Sequence, residues 1–489
     1  MKKILMIFLA AAMFTTVALA QHKPRQYSVT YERFNANPPA LSEIGKLNTY
    51  TDPAKFNTRW SIGCECLDRD YSFFDGYKDY LPELGVAYAR IQSGWARCEK
   101  EKGVYDFEWL DQIVDGIIAK GLKPWMCICY GNPIYGADHD LSSRVFTDDE
   151  TMNAWKKYVE ALVKHFKGRI VMWEVWNEPN HMNNAKFPEP YANLLINTAK
   201  IIRKLDKDTK IAGLSLSWFI RLDFTKQVFE RLKATNNLDL IDYVTFHPYY
   251  HNPDQANWAI GQLDSLVKSY NPNIKLYQGE SGCPSRLEFT HALHTIEWTE
   301  YSQAKWMARR MANDFMWDMP ASIFSVVDHT YKNMQQSYGM FRTDMQSKVI
   351  YRRPVMYTVR HMASILRPEV KAVKMECTAN TSRELSCLGL EKDGQVIGAM
   401  LWFSDERPSD SLEREKLAVT IKNLRLEYPV YIEPITGKVY NLNVYYGSYS
   451  DGDMNLQELP VWDSPVIIME KKHVDMTKTA DHNYLKSPF

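Results

Sequence analysis

Between residues 55 and 367, short apolar runs alternate with longer stretches in which apolar positions recur every three or four residues. The short runs are Arg59–Cys64, Val86–Ile91, Lys123–Cys129, Ile170–Trp176, Lys210–Leu216, Ile241–Phe246, Ile274–Gln278 and Ala321–Val327. Each is rich in apolar or β-branched residues, as parallel strands buried on both faces are. In the longer stretches the helical period is plain. Trp155, Tyr158, Val159, Leu162, Val163 and Phe166 share one face, with Lys156, Lys157, Glu160 and Lys164 opposite. Asp148, Asp149 and Glu150 stand at the start, where the helix dipole favours negative charge. Leu110, Ile113, Val114, Ile117 and Ile118 repeat the pattern, and Gly121 stops it. Further helices are expected near 75–84, 188–204, 223–235, 255–269, 299–317 and 352–366. Strand then helix, eight times over, predicts a (β/α)8 barrel. A doubly wound open sheet is the alternative. It has fewer units as a rule, and no G-x-G-x-x-G follows the first run.

From residue 368 to 472 the helical period is lost. Val370–Met375, Leu385–Leu390, Val396–Trp402, Leu417–Ile421, Val430–Ile432, Lys438–Leu442 and Val466–Met469 read as short strands. Turn signals such as Lys392-Asp393-Gly394 and Thr436-Gly437 separate them, which predicts an antiparallel β-sandwich. Residues 21–54 read as an irregular lead-in and 473–489 as a polar tail. Residues 1–20 carry an export signal: Lys2 and Lys3, an apolar run from Ile4, then Ala18-Leu19-Ala20 as a cleavage site. The mature chain is expected to start at Gln21 and to be secreted or periplasmic. No later run of 18 apolar residues calls for a membrane span.

Composition narrows the partners. Lys+Arg and Asp+Glu are both 59, so no basic excess calls for nucleic acid or an anionic membrane. Aromatic residues make up 13%, which allows sugar-stacking platforms and equally an aromatic core. Eight cysteines occur, four of them as the C-x-C pairs 64/66 and 127/129 inside strand-like runs. There both members point to one face, and buried free thiols are the first reading. A disulfide between neighbouring strands is second. A zinc site is third, because C-x-C is not the usual ligand spacing.

A barrel of this kind places its chemistry at the C-terminal ends of the strands. The fourth run ends in Asn177-Glu178-Pro179-Asn180, the seventh in Gly279-Glu280-Ser281-Gly282. Each brings a Glu to the rim. Glycosidic cleavage needs two such carboxyl groups, one to protonate the leaving oxygen and one to meet the anomeric carbon. Arg90, inside the second strand, is an unlikely residue to bury without a carboxylate, and Glu174 is one candidate partner. Other rim candidates are Glu65, Asn132, Trp218, Asp328 and His329. No metal or organic cofactor is required by this chemistry.

The string WEVWNEPN resembles the strand-four motif of clan A retaining glycoside hydrolases. Within that clan the chain is most similar to family 39, the β-xylosidases and α-L-iduronidases. The likeness rests on EVWNEPN, on Phe246-His247-Pro248-Tyr249 at strand six, and on the sandwich-like tail. It implies Glu178 as general acid/base, Glu280 as nucleophile, and Asn177 as a partner of the sugar 2-hydroxyl. It further implies that His247 borders the sugar, that Tyr249 hydrogen-bonds the nucleophile, and that Arg90 lies near it. The expected substrate is a carbohydrate. Two departures stand out. The eighth run reads Phe324-Ser-Val-Val-Asp328-His329 where the clan commonly has Trp, and Glu280 sits in GES rather than a TEW-like context. Two other classes remain open: a carbohydrate-binding barrel without catalysis, and a metal-dependent barrel hydrolase using the cysteines or His247, His251 and His329.

Overall fold

The computed structural model describes residues 28–141, 143–181, 186–217, 219–442, 447–450 and 452–479. The segment expected to be an export signal, with its expected cleavage site, and Trp218 lie outside the described residues. Eight parallel strands close into a barrel: β1 Asn57–Gly63, β2 Val86–Gln92, β3 Lys123–Ile128, β4 Met172–Val175, β5 Lys210–Leu216, β6 Tyr243–Phe246, β7 Lys275–Ser281 and β8 Ala321–Ile323. Closure is made by β8 against β1, where Trp60, Ser61 and Ile62 pair with Ala321, Ser322 and Ile323.

Six of the seven crossovers between these strands carry α-helices, at Glu108–Ala119, Asp149–Phe166, Pro188–Leu205, Leu222–Ala234, Ala256–Tyr270 and Glu300–Met316, and a further helix, Pro354–Ile365, follows β8. The six apolar residues predicted to line one face of Asp149–Phe166 are all fully buried. Each contributes about 1.5–3 kcal/mol by leaving water. Asp148 caps that helix by accepting from Thr151 N at 2.8 Å. The first crossover departs from expectation. It forms 3-10 turns at Phe74–Gly76 and Lys78–Leu84, with Pro82 inside the second. Proline lacks the N–H an α-helix would need there.

After the barrel the chain forms two antiparallel sheets. The larger runs in the order Val370–Lys374, Leu385–Lys392, Gln395–Phe403, Val466–Glu470, Pro429–Glu433, Lys438–Asn441, Glu43–Leu47, Met476–Lys478. The smaller runs Cys377–Ala379, Glu415–Ile421, Asp453–Val461, Gly447–Ser450. Two of the larger sheet's strands come from segments expected to be irregular. Glu43–Leu47 of the lead-in pairs with Lys438–Asn441, and Met476–Lys478 of the tail pairs with Glu43–Leu47. The lead-in also holds a helix, Val29–Ala36, capped by Ser28. A buried ion pair and a hydrogen bond dock the sandwich on the barrel. Lys305 Nζ meets Asp463 Oδ1 at 2.6 Å, and Trp402 Nε1 donates to Asp254 Oδ1 at 2.8 Å.

All eight cysteines are free thiols. Six are buried, and Cys377 and Cys387 are half-buried. Among the described residues no helix is long and apolar enough to cross a membrane.

Candidate active site

β4 ends at Val175, and the chain then turns sharply. Trp176 and Glu178 take positive φ, 68° and 51°. Side chains larger than glycine seldom adopt this region, and such strain persists only where surroundings impose it. The surroundings here are β5 and its extension. Glu178 N donates to Ser215 O at 3.0 Å, and Asn180 Oδ1 accepts from Ser217 N at 3.0 Å. The turn is thereby bolted to the neighbouring strand, and the Glu178 carboxyl is held at the barrel mouth.

Glu280 lies one residue before the end of β7. The glycine before it has a packing reason. A Cβ on Gly279 would stand 3.1 Å from Thr245 Cβ and 3.5 Å from His247 Nε2. Glu280 Oε1 accepts from the Tyr249 hydroxyl at 2.8 Å, and Oε2 from Arg90 Nη1 at 3.0 Å. Arg90 is fully buried and ties four other groups together: Glu174, Glu65, Asn177 and, at 3.4 Å, Ser215 Oγ. It donates to Glu174 Oε2 through Nε at 3.0 Å and Nη2 at 2.6 Å. It also reaches Glu65 Oε1 at 2.9 Å and Asn177 Oδ1 at 2.8 Å. Glu174 is therefore a partner of Arg90 in a structural pair. Asn177 Nδ2 donates to the Tyr130 hydroxyl at 2.8 Å, so its amide orientation is fixed.

His247 bridges the two rim carboxyls. Its Nδ1 is 2.9 Å from Glu178 Oε1 and 3.9 Å from Glu280 Oε2. Its Nε2 meets Ser215 Oγ at 3.1 Å. Side-chain exposure is 11% for Glu178 and 13% for Glu280, against 2% for Glu65. The first two can reach a ligand; Glu65 lies beneath them. Four carboxyl groups gather around Arg90 and His247, and the cluster sorts its charge accordingly. For Glu280, burial raises the pKa, but His247, Arg90 and the Tyr249 hydroxyl outweigh it and hold the carboxyl below its ordinary range. For Glu65, burial pushes the carboxyl up to about 7; the Arg90 charge opposes this and the Glu280 charge adds to it. For His247, burial is overcome by the Glu280 and Glu178 charges, and its pKa is raised.

The Glu178, His247 and Glu280 ligand atoms lie within 4.8 Å of one another. That spacing suits a cation as well as an acid and a nucleophile, but Arg90 already brings positive charge to this point. His251 and His329 do not join the group. His251 stacks on Trp298, and His329 packs beside Phe324 and Tyr331.

Two sequence candidates are corrected. Asn132 is buried in a turn, its Nδ2 donating to Glu99 O at 2.8 Å and its Oδ1 accepting from Ile134 N at 3.1 Å. Asp328 is fully buried and committed to Arg353 at 2.7 and 3.0 Å, Arg342 at 2.8 Å and Gly339 N at 3.1 Å. Both are structural residues. Glu65 joins the cluster, but through Arg90 rather than at the opening. At the position of the absent strand-eight Trp, Phe324 packs against His329 and Tyr338, whose ring lies 6.4 Å from that of Tyr249. The residues missed from sequence are Ser215, Tyr130 and His181. Only His181 carried a signal, three positions after Glu178 and directly after the WEVWNEPN string.

The model of glycosyl hydrolases family 39 matches residues 46–271, which include Arg90, Asn177, Glu178, His247 and Tyr249. This chain is a family 39 relative. The family 39 match stops short of Glu280, whose place is given by the fold. A β-xylosidase of Geobacillus stearothermophilus is 26% identical over 166 residues, 30% of this chain and 31% of that protein. A probable inactive β-glucosidase of Oryza sativa is 27% identical over 119 residues, 22% of each chain. The chain thus spans less than a third of either relative in alignment. Among solved structures, a family 39 glycoside hydrolase from the gut symbiont Bacteroides cellulosilyticus superposes with a TM-score of 0.64 at 15% identity, covering 86% of this chain and 82% of that one. A monomeric β-xylosidase from Caulobacter crescentus gives 0.54 at 15% identity, covering 87% and 98%. At these identities the likeness establishes the fold.

Proposed function

We propose that this family 39 relative is a retaining glycosidase that cleaves O-glycosidic bonds of oligo- or polysaccharides by double displacement. Glu280 is the nucleophile and Glu178 the general acid/base. The observation that carries the reading is the short gap between the rim carboxyls, an oxygen of each lying within 4.8 Å of the other. Retaining enzymes hold the two groups about 5–5.5 Å apart, whereas inverting ones leave about 6.5–9.5 Å for a water. Glu280 is held ionised, as attack on the anomeric carbon requires, by Arg90, Tyr249 and His247. Its carboxylate forms the C–O bond as the aglycone oxygen departs with a proton from Glu178. Glu178 then takes a proton from water as that water's oxygen displaces Glu280. In this reading Asn177, oriented by Arg90 and Tyr130, is the partner of the sugar 2-hydroxyl. The β-xylosidases among the similar proteins make β-xylosides the first substrates to try.

A 2-deoxy-2-fluoro glycoside with a good leaving group should label Glu280, because fluorine slows both steps and the activated aglycone spares the first. NMR of the fresh product should show the substrate's anomeric configuration. An inverted product, or a label on Glu65, would overturn the assignment. The reading includes export: secreted material should begin at Gln21, and intact mass that still includes Met1 would count against it.

A further inference from the structure

The Glu178 carboxyl has an imidazole at each oxygen. Oε1 is engaged by His247 Nδ1 at 2.9 Å, deep in the barrel. Oε2 faces His181 Nδ1 at 3.4 Å, on the outer side, where the His181 side chain is 19% exposed. His181 comes from the same turn, its backbone N–H donating to Glu178 O at 2.9 Å, so it is carried with the carboxyl it faces. Its Nδ1 is shielded from water and makes no hydrogen bond. A buried polar nitrogen without a partner is costly and calls for a reason. At 3.4 Å the approach is slightly long for a good hydrogen bond, and a modest shift of Oε2 would close it.

We propose that His181 is a positioning residue for Glu178, holding Oε2 toward the leaving-group oxygen and tightening on it as the proton departs. With Oε1 committed to His247, Oε2 is the oxygen left to deliver a proton. Once it has done so, Oε2 carries negative charge, and an N–H at Nδ1 of His181 meets that charge where none existed before. An interaction that strengthens as the proton moves lowers the barrier of that step rather than merely binding substrate. The inference rests on the acid/base reading of Glu178.

The test compares two substrate classes, 2,4-dinitrophenyl glycosides, which need little protonation, and alkyl glycosides or oligosaccharides of the same sugar, which need it fully. His181→Ala should lower kcat/KM on the second class roughly tenfold or more, and on the first by no more than about twofold. His181→Asn, whose amide can occupy the place of Nδ1, should recover most of the loss. His181→Gln fills the same space but carries its amide one bond farther out. It should behave as alanine does, and it takes alanine's place if that variant does not fold. Equal slowing of both classes, no slowing of either, or no recovery with asparagine would overturn the proposal. Glu178→Ala is run alongside. If it fails to show the same class selectivity, the acid/base reading itself falls and the role of His181 with it. If Glu178→Ala shows it and His181→Ala does not, only the inference on His181 is lost.

Discussion

Replacing Arg90 by methionine removes the group around which the site is built, and the structure sets the size of the effect. The guanidinium is fully buried and gives two hydrogen bonds to Glu174 and one each to Glu65, Glu280 and Asn177. Methionine fills much of the volume but donates nothing. Glu174 is then left with the Thr245 hydroxyl alone, in a site closed to water. Stranding one partner of a buried ion pair costs about 3–5 kcal/mol, a large share of the roughly 5–15 kcal/mol that holds a domain folded. Urea unfolding followed by tryptophan fluorescence should show that loss. Adding Glu174→Gln to Arg90→Met should restore part of it, because a neutral amide no longer leaves a buried charge unpaired. Activity should not return with stability, since Glu280 still lacks its Arg90 contact. A single variant within about 1 kcal/mol of the parent, or a double variant less stable than the single, would refute this account of the cluster.

Tyr249→Phe removes one of the contacts that hold the Glu280 carboxyl below its ordinary range, so the acidic limb of kcat/KM should move to higher pH; an unmoved limb would separate Tyr249 from the ionisation of Glu280. The same sign governs stability. A depressed carboxyl stabilises the fold above its unfolded pKa and loses that contribution as pH falls through the folded one, so the phenylalanine variant should lose stability near neutrality and converge with the parent in acid. Glu178→Ala should regain turnover of an activated aryl glycoside when azide is added, because the anion replaces the water that needs a base; no recovery would remove Glu178 from that role. Asp328→Ala should destabilise the fold by about 3–5 kcal/mol, by stranding Arg353, yet leave KM nearly unchanged in protein that folds; a selective rise in KM would return Asp328 to substrate binding.

The barrel was legible because its signal is local and repeated. Each strand is a short apolar run, each helix a separate 3.6-residue ladder, and a slip of two residues at any boundary leaves the alternation intact. The lead-in and tail were not legible for the opposite reason. Glu43–Leu47 and Met476–Lys478 become strands only by pairing with each other and with Lys438–Asn441, almost four hundred residues after the first of them. A five-residue segment with a glycine in its middle has too little pattern of its own to declare that partnership. The 3-10 crossover at Lys78–Leu84 carried its sign in Pro82, but an apolar period around it spoke more loudly.

The site divides along the same line. Glu178, Glu280, His247, Tyr249 and Arg90 converge as expected because each stands on or just past the C-terminal half of a barrel strand, and barrel closure does the rest. Asp328 and Asn132 satisfy the same positional rule and fail on hydrogen bonding. Their acceptors are already filled, by Arg353 and Arg342 in one case and by Ile134 N in the other. Position on a strand says where a side chain begins; it does not say whether a neighbour 25 residues on has claimed its oxygens. Glu65 shows the intermediate case. It stands at the end of β1, yet its second oxygen lies over Gly63, where any Cβ would collide with it. The glycine in Ser61-Ile-Gly-Cys-Glu65 is what lets that carboxyl fold down toward Arg90 instead of up toward a sugar. Once down, it is the carboxyl burial drives toward its protonated form, while Arg90, Tyr249 and His247 hold the charge on Glu280. A residue that contacts no substrate can therefore help decide which carboxylate stays charged.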